Sequence, residues 1–297
     1  MKIGFIGFGE ASYFMSLGLR EEKAACDIYA YDKMMAHTEM GSVIKSRAKE
    51  AGVELLSTAK EVISKADVVI ASVQSKHTLE VCKSVVDDLK PGQIYADVSA
   101  STAKTKEKVW ELLKDKKILF ADAAMMGPLP LNKHKVPISA SGNGAQAFYD
   151  AMTPFGMDIT IESDRAGDAS AMKLIRSIFM KGLGALMMET TQAAMRCDLE
   201  EQVVASIGKT IDGIPFEETL SRMAVGIAVH GKRRADEVRG SVEMCEELGI
   251  PSDMSKSAIL WHERMAAYNL GPKYSANRPK SWREVVADII SLEEGKA

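Results

Sequence analysis

The stretch from Met1 to Lys33, MKIGFIGFGEASYFMSLGLREEKAACDIYAYDK, limits what this chain can fold into more than any other. It reads as a strand over Lys2 to Ile6, a tight turn at Gly7-Phe8-Gly9, a helix, and a second strand ending on Asp32. Each part suits a dinucleotide for a physical reason. Gly7 permits a turn that a side chain would obstruct, and Gly9 lets backbone N–H groups come close to a pyrophosphate. The helix that opens at Glu10 and Ala11 presents its positive end to that anion. The third position of the glycine fingerprint holds Ser12, which is still small. Asp32 follows at the spacing of a carboxylate that accepts hydrogen bonds from a ribose diol. Such a carboxylate would repel a 2′-phosphate, and no arginine follows at once, so NAD is the expected cofactor. Lys33, adjacent, keeps NADP possible.

A chain of 297 residues is long enough for two domains. Its net charge of −3 gives no electrostatic reason to expect nucleic acid or an anionic membrane surface. Cys26, Cys82, Cys197 and Cys245 are scattered, with no CxxC, so no metal site is expected and the usage suits a reducing compartment. The chain opens on a core strand, which leaves no room for a signal peptide, and no apolar run is long enough to span a bilayer. These features lead us to expect a cytoplasmic protein with no nucleic-acid or membrane partner.

Short apolar runs recur at Asp67–Val73, Gln93–Val98, Ile118–Ala123 and Pro137–Ser141, separated by amphipathic stretches such as Lys76–Leu89 and Thr102–Lys114. This βαβ rhythm implies an α/β fold, a mainly parallel sheet with helices on both faces. Ligands on such sheets bind beyond the carboxyl ends of the strands. The positions to watch are Gly7–Ala11, Asp32, Ser72–Gln74 (Val73 and Gln74 nearest the cofactor), Asp97–Ser99 and Asp122–Pro128.

Beyond Ile161 the rhythm becomes helical, so the expected division is a Rossmann domain over 1–162 and an all-helical domain over 163–297. The segment from about Ala166 to Arg196 is long for one helix, lacks proline, and would form a spine between the two. Further helices are expected near Leu199–Ser206, Pro215–Val229, Gly231–Leu248, Met254–Tyr268 and Ser281–Leu292. A spine this apolar points to a homodimer that covers it. The substrate cleft is expected between the domains.

One charged residue intrudes on the spine. Lys173 sits among Ala169, Met172, Leu174, Ile175 and Ile178, with Ser177 one turn later. Apolar surroundings disfavour a charged amine, which suits it to proton transfer. The plain alternative is a lysine that snorkels to solvent along a buried stem.

On these residues the chain resembles the β-hydroxyacid dehydrogenase family, which includes 3-hydroxyisobutyrate dehydrogenase and relates to 6-phosphogluconate dehydrogenase. The branch it resembles most is a poorly characterised one of phosphogluconate-dehydrogenase-like NAD-binding proteins. The likeness is carried by GFIGFGEAS at Gly4–Ser12, ADVS at Ala96–Ser99, DAAMMGP at Asp122–Pro128, GDASAMKLIRS at Gly167–Ser177 and HGKRRADEV at His230–Val238. It implies a dehydrogenase or reductase acting on CH–OH of a small hydroxy acid or sugar acid. Lys173 would transfer the proton at the substrate hydroxyl while hydride passes to or from nicotinamide.

Two departures fall on substrate recognition. The family's serine-glycine-glycine motif, which binds the substrate carboxylate, aligns with Met126-Gly127-Pro128, where only Gly127 matches. The family's asparagine one turn after the lysine is here Ser177. The same chemistry on a different substrate is the reading that follows. Oxidative decarboxylation also needs an acid, and Glu189 projects to the opposite face of the spine from Lys173 at about 100° per residue. Simple oxidoreduction is therefore expected. The rivals are an NAD(H)-sensing protein without chemistry, which would have no use for Lys173, and an imine or ketone reductase. Imine reductases share the fold but generally replace this lysine.

Several residues have plainer expected roles. His134 reads as a solvated loop histidine, and Lys181 as exposed. His230, Lys232, Arg233 and Arg234 read as a basic group at a helix start, with binding of an anionic substrate group as the alternative. Met125 and Met126 are candidates to line the pocket, while Met172, Met180, Met187 and Met188 read as core filler. Ser99 has two open roles, contact with nicotinamide or substrate and the capping of the following helix.

Overall fold

The computed structural model describes residues 1–22 and 24–295. Contacts divide the chain into two compact units, Met1–Ile178 and Phe179–Ala297, where the sequence alone suggests a division at 162.

The first unit follows the βαβ rhythm. Strand β1 (Lys2–Ile6) leads into helix α1 (Glu10–Glu21) and then β2 (Asp27–Tyr31). Next come α2 (Thr38–Glu50), β3 (Glu54–Leu55), α3 (Ala59–Lys65), β4 (Val68–Ala71) and α4 (Thr78–Val85). The unit continues with β5 (Ile94–Asp97), α5 (Ala103–Leu113), β6 (Leu119–Met125), α6 (Leu129–Asn132), β7 (Ile138–Ser141), α7 (Ala145–Met152) and β8 (Ile159–Ser163). The strands form one sheet in the order β3-β2-β1-β4-β5-β6-β7-β8. All neighbours are parallel except β6 and β7, which run antiparallel.

Side chains alternate across the sheet with the two-residue period of strands. Ile3, Phe5, Val68, Ile70, Ala96 and Val98 enter one core, while Ile6, Val69, Ala71, Tyr95 and Phe120 enter the other. Burial on both faces explains why these strands are nearly continuous apolar runs. Gly4 is small because a Cβ there would lie 2.6 Å from a Val62 methyl on α3.

Helix α8 (Asp168–Arg196) begins in the first unit and runs into the second. The second unit adds α9 (Glu200–Ile211), α10 (Phe216–Glu247), α11 (Asp253–Ala267), α12 (Gly271–Ala276) and α13 (Trp282–Glu294). Its core gathers Val225, Ala228, Met265, Leu270, Tyr274 and Val285. The sequence suggests two helices on either side of His230; α10 instead runs through that residue with a kink (φ −118°, ψ 23°). Directly after it, Gly231 approaches α11 so closely that a Cβ would stand 2.7 Å from the His262 carbonyl. The basic group at 230–234 therefore lies within a kinked helix, not at a helix start. Among the described residues no helix is long and apolar enough to cross a membrane.

The methionines of α8 correct an expectation. Met172, Met180, Met187 and Met188 are exposed, the last by 70%. They do not fill this chain's core, because they share the helix with Leu174, Ile175, Ile178 and Phe179, which are exposed as well. One helix cannot turn so broad an apolar surface towards a single neighbour.

Candidate functional site

Gly7, Asp32, Val73, Ser99 and Met126 follow the carboxyl ends of parallel strands. Gly7 follows β1 with φ +91°, and a Cβ there would meet the Ser72 carbonyl oxygen at 2.3 Å. Only glycine satisfies both the left-handed backbone and that approach. Gly9 differs: a Cβ there would meet nothing within 4 Å, and no side chain caps the first turn of α1. The first amides of α1, at Glu10 and Ala11, thus have no side-chain cap, and the turn before them is open at Gly9. Ser12, the departed fingerprint glycine, is fully buried and donates its hydroxyl to the Gly7 carbonyl at 2.7 Å. Its small side chain closes the turn that glycine would leave open.

Asp32 ends β2 and accepts two backbone hydrogens, from Phe8 N–H on Oδ2 and Met34 N–H on Oδ1, both at 2.8 Å. Each oxygen keeps a lone pair for a ribose hydroxyl. The Phe8 ring is buried edge-on against Phe5, so Phe8 contributes backbone alone to the turn. Exposed Lys33 has an acidic neighbour. The His77 hydrogen bond first, and the Lys33 charge second, hold the Glu80 carboxyl below the usual range. An open turn, an uncapped helix start and an anchored carboxylate fit a dinucleotide.

After β4, half-buried Val73 donates its N–H to the Ser99 hydroxyl at 3.1 Å, and exposed Gln74 follows. Ser99 does not cap the next helix; Thr102 does, accepting from Thr105 N–H. Ser99 instead ties the end of β4 to the end of β5. Beyond β6, half-buried Met126 donates its N–H to the Pro137 carbonyl at 2.7 Å, and the Pro128 carbonyl accepts from Asn132. These bonds fix Met126-Gly127-Pro128 at the strand end. Met125 is half-buried beside them.

Lys173 lies half-buried in the second turn of α8, with Ser177 half-buried one turn on. Two side chains of the sheet hold the first turn of that helix. Ser141 Oγ accepts Ala169 N–H at 3.0 Å, and Asp122 accepts Ser170 N–H at 2.9 Å and Ser170 Oγ–H at 2.7 Å. Helix N-termini need such acceptors, and a carboxylate suits their dipole. Lys173 follows Ser170 by three residues, the spacing that keeps side chains on one face.

Behind these residues, Asp97 and Asp122 meet a lysine that the sequence reading missed. Lys106, on α5, has no exposed surface and donates to the Asp97 carbonyl at 2.7 Å. It pairs with Asp97 Oδ1 at 3.1 Å and Asp122 Oδ1 at 3.2 Å, both acids being fully buried. Two carboxylates inside otherwise apolar strands were the available signal; Lys106 itself looks like its surface neighbours Lys104 and Lys108. Burial first, then the charge of Asp97, pushes the Cys82 thiol up to about 12, so it is inert.

His134 overturns another expectation. It is 2% exposed, with neither ring nitrogen hydrogen-bonded among the described residues. Gly18 on α1 makes room for it, since a Cβ there would meet Nδ1 at 2.3 Å. Glu189 is committed elsewhere: it accepts from Met254 N–H, Ser255 N–H and Ser255 Oγ–H at the start of α11. Among the described residues no group of three or more His, Cys, Asp or Glu is placed to hold a metal ion.

Comparison with known proteins agrees with this geometry. The family described as the NAD binding domain of 6-phosphogluconate dehydrogenase matches residues 2–155, and a domain of unknown function, DUF1932, matches residues 194–265. An uncharacterised 28.5 kDa protein of Methanothermus fervidus is 28% identical over 245 residues, covering 80% of this chain and 88% of that protein. A conserved protein of unknown function, whose structure was described as similar to 3-hydroxyacid dehydrogenases, is 28% identical with a TM-score of 0.61, over 91% of this chain and 99% of its own. An imine reductase from a Pseudomonas species has a TM-score of 0.72 over 91% of this chain and 95% of its own, and its 14% identity shows a shared fold. The match over more than half its length, on the residues that build the glycine turn and the strand ends, makes this chain a member of the 6-phosphogluconate dehydrogenase NAD-binding family.

Proposed function

We propose that the protein is an NAD-dependent oxidoreductase acting on the CH–OH group of a small hydroxy acid or sugar acid, without decarboxylation. The observation that carries this reading is the anchoring of the Lys173 helix to Asp122, on the same strand ends that bear the glycine turn, Asp32 and Ser99. The dinucleotide part of the chain ends near residue 162.

The bound nicotinamide supplies or accepts the hydride. The uncapped start of α1 holds the pyrophosphate, and Asp32 holds the ribose. Neutral Lys173 takes the hydroxyl proton during oxidation and returns it to the carbonyl oxygen during reduction. Once protonated, its charge stabilises the negative oxygen. Ser99, Met126, Gly127, Pro128 and Ser177 contact the substrate. Met126 and Pro128 bring no hydroxyl donor, which favours a substrate less dependent on a carboxylate contact there.

Three further observations support parts of the reading. Asp32 opposes a 2′-phosphate, and Glu80 competes for Lys33, so NAD is preferred to NADP. Burial raises the pKa of Glu189, but the hydrogen bonds from Ser255 and Met254 outweigh it and hold the carboxyl below the usual range. A carboxylate so held is a poor proton donor for an enediol. Helix α8 exposes Ile175, Ile178, Met187, Met188 and Met195 together, and a second copy of the chain is their natural cover.

Imine reduction is the second reading, favoured by the likeness of fold to the Pseudomonas enzyme. The test is an absorbance screen at 340 nm with NAD(H) and NADP(H) against hydroxy acids, sugar acids, their carbonyl counterparts and cyclic imines. Turnover of an alcohol or carbonyl acid that is lost in Lys173→Ala supports the proposal. Turnover of imines alone transfers it to imine reduction. Tight cofactor binding with no turnover favours a sensor.

A further inference from the structure

A single buried ammonium connects the two strand ends of the proposed site. Lys106 Nζ contacts Asp97 Oδ1 and Asp122 Oδ1 with all three side chains fully buried. Asp97 Oδ1 also accepts Ser99 N–H at 2.8 Å, and the Ser99 hydroxyl in turn receives Val73 N–H. Asp122 receives both the amide and the hydroxyl of Ser170 in the first turn of α8. A continuous polar chain thus runs from the end of β4 through Ser99, Asp97, Lys106 and Asp122 to the turn before Lys173.

A buried group of this kind is a costly way to gain stability. Taking one ammonium and two carboxylates out of water costs about as much as their attraction returns. Asp97 Oδ2, moreover, has no hydrogen-bond partner among the described residues. Apolar packing would hold β5, β6 and α5 together as well. Fixed direction is what the ionic arrangement supplies, because each acid spends one oxygen on Lys106 and the same oxygen on a backbone or hydroxyl donor of the site.

We infer that Lys106, Asp97 and Asp122 are positioning residues, a buried triad that couples the strand end offering Ser99 to the helix turn offering Lys173. The inference rests on the proposed roles of Ser99 and Lys173. Neither acid nor Lys106 touches the reacting atoms. Asp122 reaches the 97–101 segment through Lys106, and Asp97 reaches α8 through the same amine.

The coupling is testable without a substrate. Amide hydrogen exchange would be followed by mass spectrometry in wild type and Asp122→Asn, together with the ¹³C resonance of reductively methylated Lys173, assigned with Lys173→Arg. Loss of a charged hydrogen bond accelerates local opening by about tenfold or more. We expect that acceleration in both 168–173 and 97–101, with a displaced Lys173 resonance and unchanged exchange in 27–31. Acceleration confined to 168–173 would mean that Asp122 only caps α8, and would overturn the coupling. Should Asp122→Asn not fold, Ser170→Ala removes one bond of the chain and must still displace the Lys173 resonance; an unmoved resonance also overturns the inference. Coupling found in a protein that turns over no substrate would uphold the device and remove the dehydrogenase reading.

Discussion

The Asp32 carboxylate accepts the Phe8 amide hydrogen at 2.8 Å, so the residue that closes β2 also shapes the turn that follows β1. On the proposed reading, one side chain would thereby serve the ribose and the pyrophosphate together. Asp32→Ala should weaken NADH binding by more than about tenfold, the loss of a charge-assisted hydrogen bond or two. Fluorescence titration with NADH and NADPH in parallel measures it. Affinity that stays put for both would remove the basis of the NAD preference.

Gly7 combines φ +91° with a 2.3 Å approach of any Cβ to the Ser72 carbonyl. The backbone conformation alone costs a side chain on the order of 1–3 kcal/mol, and the clash adds to it. Gly7→Ala should lower the melting temperature and abolish cofactor binding. Gly9→Ala has room for its methyl and should keep the fold while weakening the dinucleotide site. Thermal melts of both variants, each with and without NADH, separate the two roles.

Lys173→Ala should leave cofactor affinity near normal and cut turnover by about 10²–10⁴-fold, the usual worth of a positioned proton-transfer group. Steady-state kinetics on the substrate identified by the screen give the answer. A variant with full activity would show that the proton travels by another route.

His134 is buried with no hydrogen-bond partner among the described residues, and burial first, with neighbouring Lys135 next, lowers its pKa. The unfolded chain therefore binds a proton near the ordinary histidine pKa of about 6.5, while the native chain binds it only at lower pH. Stability from this residue is intact above that value and falls as pH drops below it. His134→Leu should flatten that acid-side decline. Urea midpoints at pH 7.5 and 5 for both proteins test the sign, and an unchanged difference between them refutes it.

Met188 and Met195 are 70% and 66% exposed on α8. Buried in a dimer, each would contribute about 1.5–3 kcal/mol. Replacing both with lysine should convert a dimer into a monomer by light scattering after gel filtration. A wild-type protein that already runs as a monomer would defeat the homodimer proposal outright.

The glycine turn, Asp32, the βαβ rhythm and the long spine were legible in the sequence because each is a local pattern. Strand and helix periods are written in consecutive residues, and Gly7 and Asp32 lie within one βαβ unit. Helices α2, α3 and α7 and strand β8 were not singled out. Tertiary structure decided the rest. Nothing near Lys106 distinguishes it from Lys104 and Lys108, and only the register that sets Asp97 beside Asp122 brings two carboxylates to its amine. His134 looked solvated among prolines and lysines until α1 supplied Gly18 as its seat. The α8 methionines looked like core until the fold left them exposed. Burial is a property of distant parts of the chain meeting, which local pattern does not encode.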